Sequence, residues 1–300
     1  MKYSTKQIIV ITALIIILST IVNAQDMDKV TIVTTELSSS IFMLEGRGGN
    51  IAFCKGDDGL FMIDDQFTGL TDKIKEAIGT GNIGIVNFLI NTHWHSDHTG
   101  GNEDWANLGS IIVAHKNVRK RLSEKQLIKF FNNEVEPSPA DALPILTFSD
   151  EVIFYYNDEE IIVKHFAHAH TDGDAVIHFP NSNVVHMGDI YFSGAFPFID
   201  ISSGGSIEGV INAIEQILPT LNDSTKIIPG HGKLSNKSEM AEHLKMLKSV
   251  KAEVKSLVDK GESEDEILKE NPALKFAYKW ETGFIKANQF TKFVYQSLKN

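Results

Sequence analysis

The run His93-Trp94-His95-Ser96-Asp97-His98 puts three imidazoles and a carboxylate within six positions, directly after the apolar run Ile83 to Ile90. Neutral imidazole and carboxylate are good ligands for zinc and other first-row divalent ions. Where a strand ends, side chains at i and i+2 point the same way, so His93 and His95 can share one ion. Asp97 and His98 fall one turn of loop further on and face a second position. Thr99-Gly100-Gly101 then gives the backbone freedom to fold tightly around the cluster. One loop alone leaves such a site incomplete, and further donors stand downstream. His170 lies in His168-Ala169-His170-Thr171-Asp172-Gly173-Asp174, Asp189 ends Val184-Val185-His186-Met187-Gly188-Asp189, and His231 sits in Pro229-Gly230-His231-Gly232. Each is at the carboxyl end of a β-type run or in the Gly-rich turn after it, where α/β architectures gather functional groups. Seven candidate ligands suit two metal ions.

Other residues fall into supporting roles. Asp64 and Asp65 follow the apolar run Leu60 to Ile63, and one of them is expected to hold a ligating imidazole by its far nitrogen, the alternative being a solvated turn. His168, two positions before His170, is expected beside the site or exposed. His115, His165, His178, His186 and His243 match no ligand spacing and are assigned structural roles. The stretch Phe192 to Asp200 follows Asp189 at once, so Phe196 and Phe198 are candidates for an apolar substrate wall, with core packing as the alternative. Trp94 alternates with two ligands and is expected to pack away from them. The single cysteine, Cys54, reads as a small core residue.

The elements that must position these residues alternate along the chain. Ile51 to Phe53 and Leu60 to Ile63 flank Asp57-Asp58-Gly59, a hairpin signal. Thr71 to Ile78 has helical spacing, Ile83 to Ile90 reads as a buried strand, Ser110 to Ala114 as another, and Lys116 to Phe131 as an exposed helix. The proline-rich stretch from Glu136 to Pro144 reads as a loop. Two hairpins follow, Glu151 to Tyr156 with Glu160 to Phe166, and Ala175 to Phe179 with Val184 to His186. An amphipathic helix over Ser206 to Leu218 then precedes the strand Lys226 to Ile228. Ser238 to Leu298 reads as a mostly helical tail broken at Gly261 and Pro272. No linker divides residues 25–300, which are expected to form a single domain, and 42% hydrophobic content suffices for a substantial core.

The first 24 residues read as a secretory signal peptide: Lys2 and Lys6 precede the apolar stretch Ile8 to Leu18, and Val22-Asn23-Ala24 supplies small residues near a cut site. A retained membrane anchor is the alternative, although the stretch is shorter than the roughly 20 residues a span needs. A periplasmic or secreted location is expected, with no stable membrane insertion after cleavage. Losing Lys2 and Lys6 would take the formal charge from −11 to −13. So acidic a surface repels phosphate backbones and argues against nucleic acid as a partner; a small molecule is expected instead.

The order H-x-H-x-D-H, His-Thr, Gly-Asp, Gly-His-Gly, running from about Ile51 to His231, resembles the metallo-β-lactamase superfamily. That resemblance implies an α/β fold, a four-layer αββα sandwich with the site along one edge of two packed sheets. It also implies a ligand division: His93, His95 and His170 on a first metal, Asp97, His98 and His231 on a second, Asp189 bridging. The cofactor implied is two zinc ions per chain, with iron or manganese as alternatives. The implied activity is hydrolysis of an amide, lactone or thioester by metal-activated hydroxide, with Asp97 also orienting the nucleophile or carrying a proton. The all-His zinc β-lactamases resemble this chain in six ligands but normally lack a bridging carboxylate. Glyoxalase II and the lactonases have one, and Tyr191 falls one position short of the lactonases' substrate-polarising tyrosine. Persulfide dioxygenases, which hold a single iron at His93-, His170- and Asp189-type positions on the same fold, are the alternative reading.

Overall fold

A computed structural model describes residues 27–79 and 85–299; the expected signal peptide lies outside the described residues, as does the start of the run Ile83 to Ile90. The first sheet begins with an antiparallel meander of Val33–Glu36 (β1), Ile41–Glu45 (β2), Ile51–Gly56 (β3) and Gly59–Ile63 (β4). It continues in parallel through Val86–Asn91 (β5) and Ile111–His115 (β6). A separate small hairpin of Gln126–Ile128 (β7) and Asn133–Val135 (β8) intervenes before Leu146–Phe148 (β9) closes the sheet beside β6. The second sheet runs Glu151–Tyr156 (β10), Glu159–His165 (β11), Ala175–Phe179 (β12), Val184–His186 (β13), Lys226–Ile228 (β14) and Ser235–Asn236 (β15).

Alternation along the strands builds the layers. In β2, Ile41 and Met43 face the second sheet while Phe42 and Leu44 face helices, as the two-residue period of a strand requires. Between the sheets, Ala52, Cys54, Phe61, Ile63 and Ile90 meet Ile161, Val163, Ile177, Phe179 and Ile228. The outer face of the first sheet carries the Thr71–Ile78 and Asn102–Asn107 helices through Ile74, Ile78 and Trp105. On the outer face of the second, Val176, Val185 and Ile227 pack under the helices Ile207–Ile217, Lys237–Asp259 and Ala287–Lys299. The result is the αββα sandwich, with Cys54 buried between the sheets.

The Asp57-Asp58 signal sits at the turn between β3 and β4, where Gly56 pairs with Gly59, and Asn157-Asp158 turn β10 into β11. Asn157 and Asp158 have φ of 55° and 59°, the left-handed pair that suits a two-residue hairpin. The helix expected over Lys116 to Phe131 ends at Leu122. Beyond it, Asn132 adopts φ 48° and turns the chain, so that β7 pairs with β8 and Phe130 and Phe131 leave the helical path on a 3-10 turn. The tail breaks where Gly261 takes φ 88° and again around Asn271-Pro272. Among the described residues no helix is long and apolar enough to cross a membrane.

Candidate metal centre

Every candidate ligand lies at a strand end or in the loop leaving it. β5 delivers His93, His95, Asp97 and His98, β11 and the turn before β12 deliver His170, β13 delivers Asp189, and β14 delivers His231. The structure brings all seven together. His93 Nε2 and His170 Nε2 lie 3.2 and 2.9 Å from His95 Nδ1, and 3.9 and 3.6 Å from Asp189 Oδ2. Beside them, His231 Nε2 is 3.4 Å from His98 Nε2 and 3.2 Å from Asp97 Oδ2. Asp189 reaches this second group too, Oδ1 at 3.1 Å from His98 Nε2 and Oδ2 at 3.4 Å from His231 Nε2. Two donor sets result, His93, His95, His170 and Asp189 in one, Asp97, His98 and His231 in the other, each with its ligand atoms within 4.8 Å of one another.

The donor chemistry fits divalent metal ions. Nitrogens converge on nitrogens, an arrangement that hydrogen bonding alone does not reward, and the buried Asp189 Oδ1 has no donor aligned on it, His98 Nε2 at 3.1 Å included. Far nitrogens are fixed from outside, as ligating imidazoles require. Asp64, gripped by the backbone N–H and hydroxyl of Thr92 at 2.7 Å each, holds His98 Nδ1 at 2.7 Å. His170 Nδ1 donates to the Phe198 carbonyl at 2.9 Å, and His93 Nδ1 lies 3.1 Å from the Thr92 hydroxyl. His95 turns the other way: its Nδ1 faces the cluster and its Nε2 meets Asp200 Oδ2 at 3.1 Å. Asp200 is oriented in turn by the hydroxyls of Ser202 and Ser203 and the Ser203 N–H.

Charge divides the same way. Burial and neighbouring imidazoles hold His93 well below the usual histidine range, and burial brings His170 down to about 4. Burial opposes protonation of His98 and His231 as well, yet the carboxylates around them, Asp189 foremost, raise His98 and bring His231 to about 9. Against its own burial, Asp97 is lowered to about 2 by His98 and His231, so it is ionised at neutral pH. Asp97 and His231, about one-quarter exposed at 26% and 25%, form the open side of the cluster; His93, His98 and His170 are enclosed.

The supporting residues sort themselves by contact. Asp64, not Asp65, holds an imidazole; Asp65 accepts the Gly101 N–H at 2.9 Å, and burial raises its carboxyl well above the usual range. His168 is exposed, with φ 55°, and its Nδ1 points to the Gly204 carbonyl at 2.9 Å, away from the ligands. Phe198 stacks against His95 at 5.9 Å between ring centres, while Phe196 is buried against Phe290 in the helical layer. Tyr191 is also buried, its hydroxyl bonded to Ser235 at 2.7 Å. Trp94 packs in the cluster under the second sheet's helices. Two site residues enter the sequence pattern only as the bounds of the stretch Phe192 to Asp200, with no role of their own: Asp200, whose Asp-Ile-Ser-Ser turn is the one available signal, and Phe192, which stacks on His231 at 5.1 Å.

Comparison with known proteins places this site in a family. The sequence profile of the metallo-beta-lactamase superfamily matches residues 44–231, and the chain belongs to that superfamily. A probable metallo-hydrolase of Methanocaldococcus jannaschii is 28% identical over 59% of this chain and 84% of its own length. A probable metallo-hydrolase of Bacillus subtilis is 27% identical over 61% and 84%. Among solved structures, a metallo-beta-lactamase from Pontibacter korlensis superposes with a TM-score of 0.60 at 17% identity, covering 73% of this chain and 99% of that one. The sec-alkylsulfatase from a Pseudomonas species does so at 0.65 and 17%, covering 88% of this chain and 50% of that one; at such identity these likenesses speak for the fold. The chain is a metal-dependent hydrolase of this superfamily, with a His/Asp metal site, and acts on small molecules.

Proposed function

We propose that the seven residues hold two divalent ions, zinc foremost, and that the chain hydrolyses a small amide, lactone or thioester. One observation carries this reading: the Asp189 carboxylate stands between the two donor sets, with Oδ2 at 3.6 Å from His170 and 3.4 Å from His231. Ions held there supply Lewis acidity and an acidified water. The protein does the rest. Asp97, ionised and on the open side, accepts a proton from the attacking water and returns it toward the leaving group. Asp64 and Asp200 keep the His98 and His95 rings from rotating when charge develops. Phe192 and Phe198 bound the cluster with apolar surface that limits where water and substrate can sit. An exported enzyme is part of the proposal, on the strength of Lys2, Lys6 and the apolar stretch after them.

The test is elemental analysis of the purified protein together with turnover of a chromogenic cephalosporin, a lactone and a thioester. Two zinc ions per chain and hydrolysis of one substrate are expected. A single iron with no hydrolysis would replace this reading with an oxygenase of the persulfide dioxygenase type.

A further inference from the structure

Behind the metal centre lies a cavity of about 720 Å³ that is lined by none of the seven candidate ligands, yet shares a wall with them. The wall is one residue thick. Phe198 presents its ring to His95 and its carbonyl to His170, and Asp200 bonds His95 Nε2; both residues also line the cavity. The size falls in the range of small-molecule sites, roughly 300–1,000 Å³.

Two kinds of lining residue stand out among aliphatic and neutral polar ones. The floor is aromatic: Phe130 lies 5.5 Å from Phe198 and 4.9 Å from Phe293, and Phe293 lies 5.5 Å from Phe198. The rim carries Lys129, Lys292 and Lys299. Lys292 has a partner in Glu264 at 3.3 Å. Among the described residues, Lys129 and Lys299 have no carboxylate within ion-pair distance, although acids outnumber bases 39 to 28 in this chain. The other acid in the wall, Asp200, is spoken for by His95, Ser202 and Ser203. An aromatic floor beneath two unneutralised ammonium groups complements one ligand chemistry, an apolar body ending in an anion.

We propose that this cavity is a binding site for an amphipathic carboxylate, its apolar part on Phe130 and Phe293 and its carboxylate between Lys129 and Lys299. The site is distinct from the metal cluster and does not depend on which bond is cleaved there. The carboxylate is either the distal arm of a substrate or a separate small molecule, and kinetics separates the two.

Isothermal titration calorimetry on the full, metal-loaded protein would use octanoate and, as a neutral counterpart, octanamide. Octanoate is expected to bind more tightly than octanamide. The double variant K129Q/K299Q should weaken octanoate about tenfold and leave octanamide unchanged, and K260Q, on the far end of another helix, should change neither. Both substituted lysines are exposed, so loss of folding does not confound the comparison. In the wild-type enzyme, inhibition of turnover by octanoate that is competitive identifies a substrate arm, and mixed inhibition a separate molecule. Absence of octanoate binding at millimolar concentration, or equal binding to wild type and K129Q/K299Q, overturns the proposal. Loss of hydrolysis with octanoate binding intact would remove the proposed reaction and leave this site standing.

Discussion

Asp200 does for His95 what Asp64 does for His98: a buried carboxylate, itself held by hydroxyls, fixes the far nitrogen and with it the direction of the metal-facing lone pair. Asp200→Ala should therefore lower metal affinity by about 10- to 100-fold, measured by competition with a chromophoric chelator. Asp200→Asn, which keeps an acceptor at the same place, should lose less; equal losses would mean that charge, not orientation, is what His95 needs. Asp97→Asn should retain part of the metal while lowering turnover, and unchanged turnover would remove its proton-handling role. The seven candidate ligands that the fold gathers could be picked out in the sequence because their types are rare and their spacing local, four of them in one hexapeptide. Asp200 was not, because its partner lies 105 positions away and only the packed sheets bring them together. Phe196 and Phe198 show the same limit: two positions apart in one loop, both pack on the Ala287–Lys299 helix, yet of the two only Phe198 is in ring contact with His95 and His170.

At the scale of elements, hydrophobic period and turn chemistry identified the central strands and the long helices, since burial on both faces leaves apolar runs that need no context. They failed for Lys116 to Phe131, where charge spacing continued past the point at which Asn132 makes strand pairing available. The helix Ile207–Ile217 starts hard against the His170 loop. Ser206 caps it, and a Cβ at Gly209 would overlap the His168 carbonyl, two residues before a ligand. Gly209→Ala should push this helix outward, costing about 2 kcal/mol in denaturant unfolding and weakening metal retention together. Retained affinity in a destabilised variant would show that the helix does not set His170. On the Lys237–Asp259 helix, His243 is enclosed by Tyr191 and Trp280, with neither ring nitrogen partnered, and burial lowers it to about 3. An unfolded chain takes up that proton near pH 6.5 while the folded one resists it to about 3, so stability drains away as pH falls through this window. His243→Leu should flatten that slope; an unaltered acid-unfolding profile would place the titrating group elsewhere.

For the whole molecule, the division of ligands between the sheets matters most. His93, His95, Asp97 and His98 follow a strand of the first sheet; His170, Asp189 and His231 follow strands of the second. Metal binding thus ties the two halves of the sandwich at one edge, and stripping with a chelator should lower the melting temperature. At free metal 100 times Kd the linkage amounts to about 2.7 kcal/mol. A melting curve indifferent to chelation would mean the sheets hold the ligands in place unaided. Between Asp189 and Asp200 runs a single loop whose two ends serve both metal groups, one by carboxylate and the other through His95, while its middle supplies the aromatic walls. Anyone grafting a longer segment there to admit a bulkier molecule would also be retuning how firmly the cofactor is kept. A variant lengthened there is expected to change substrate range and metal retention together.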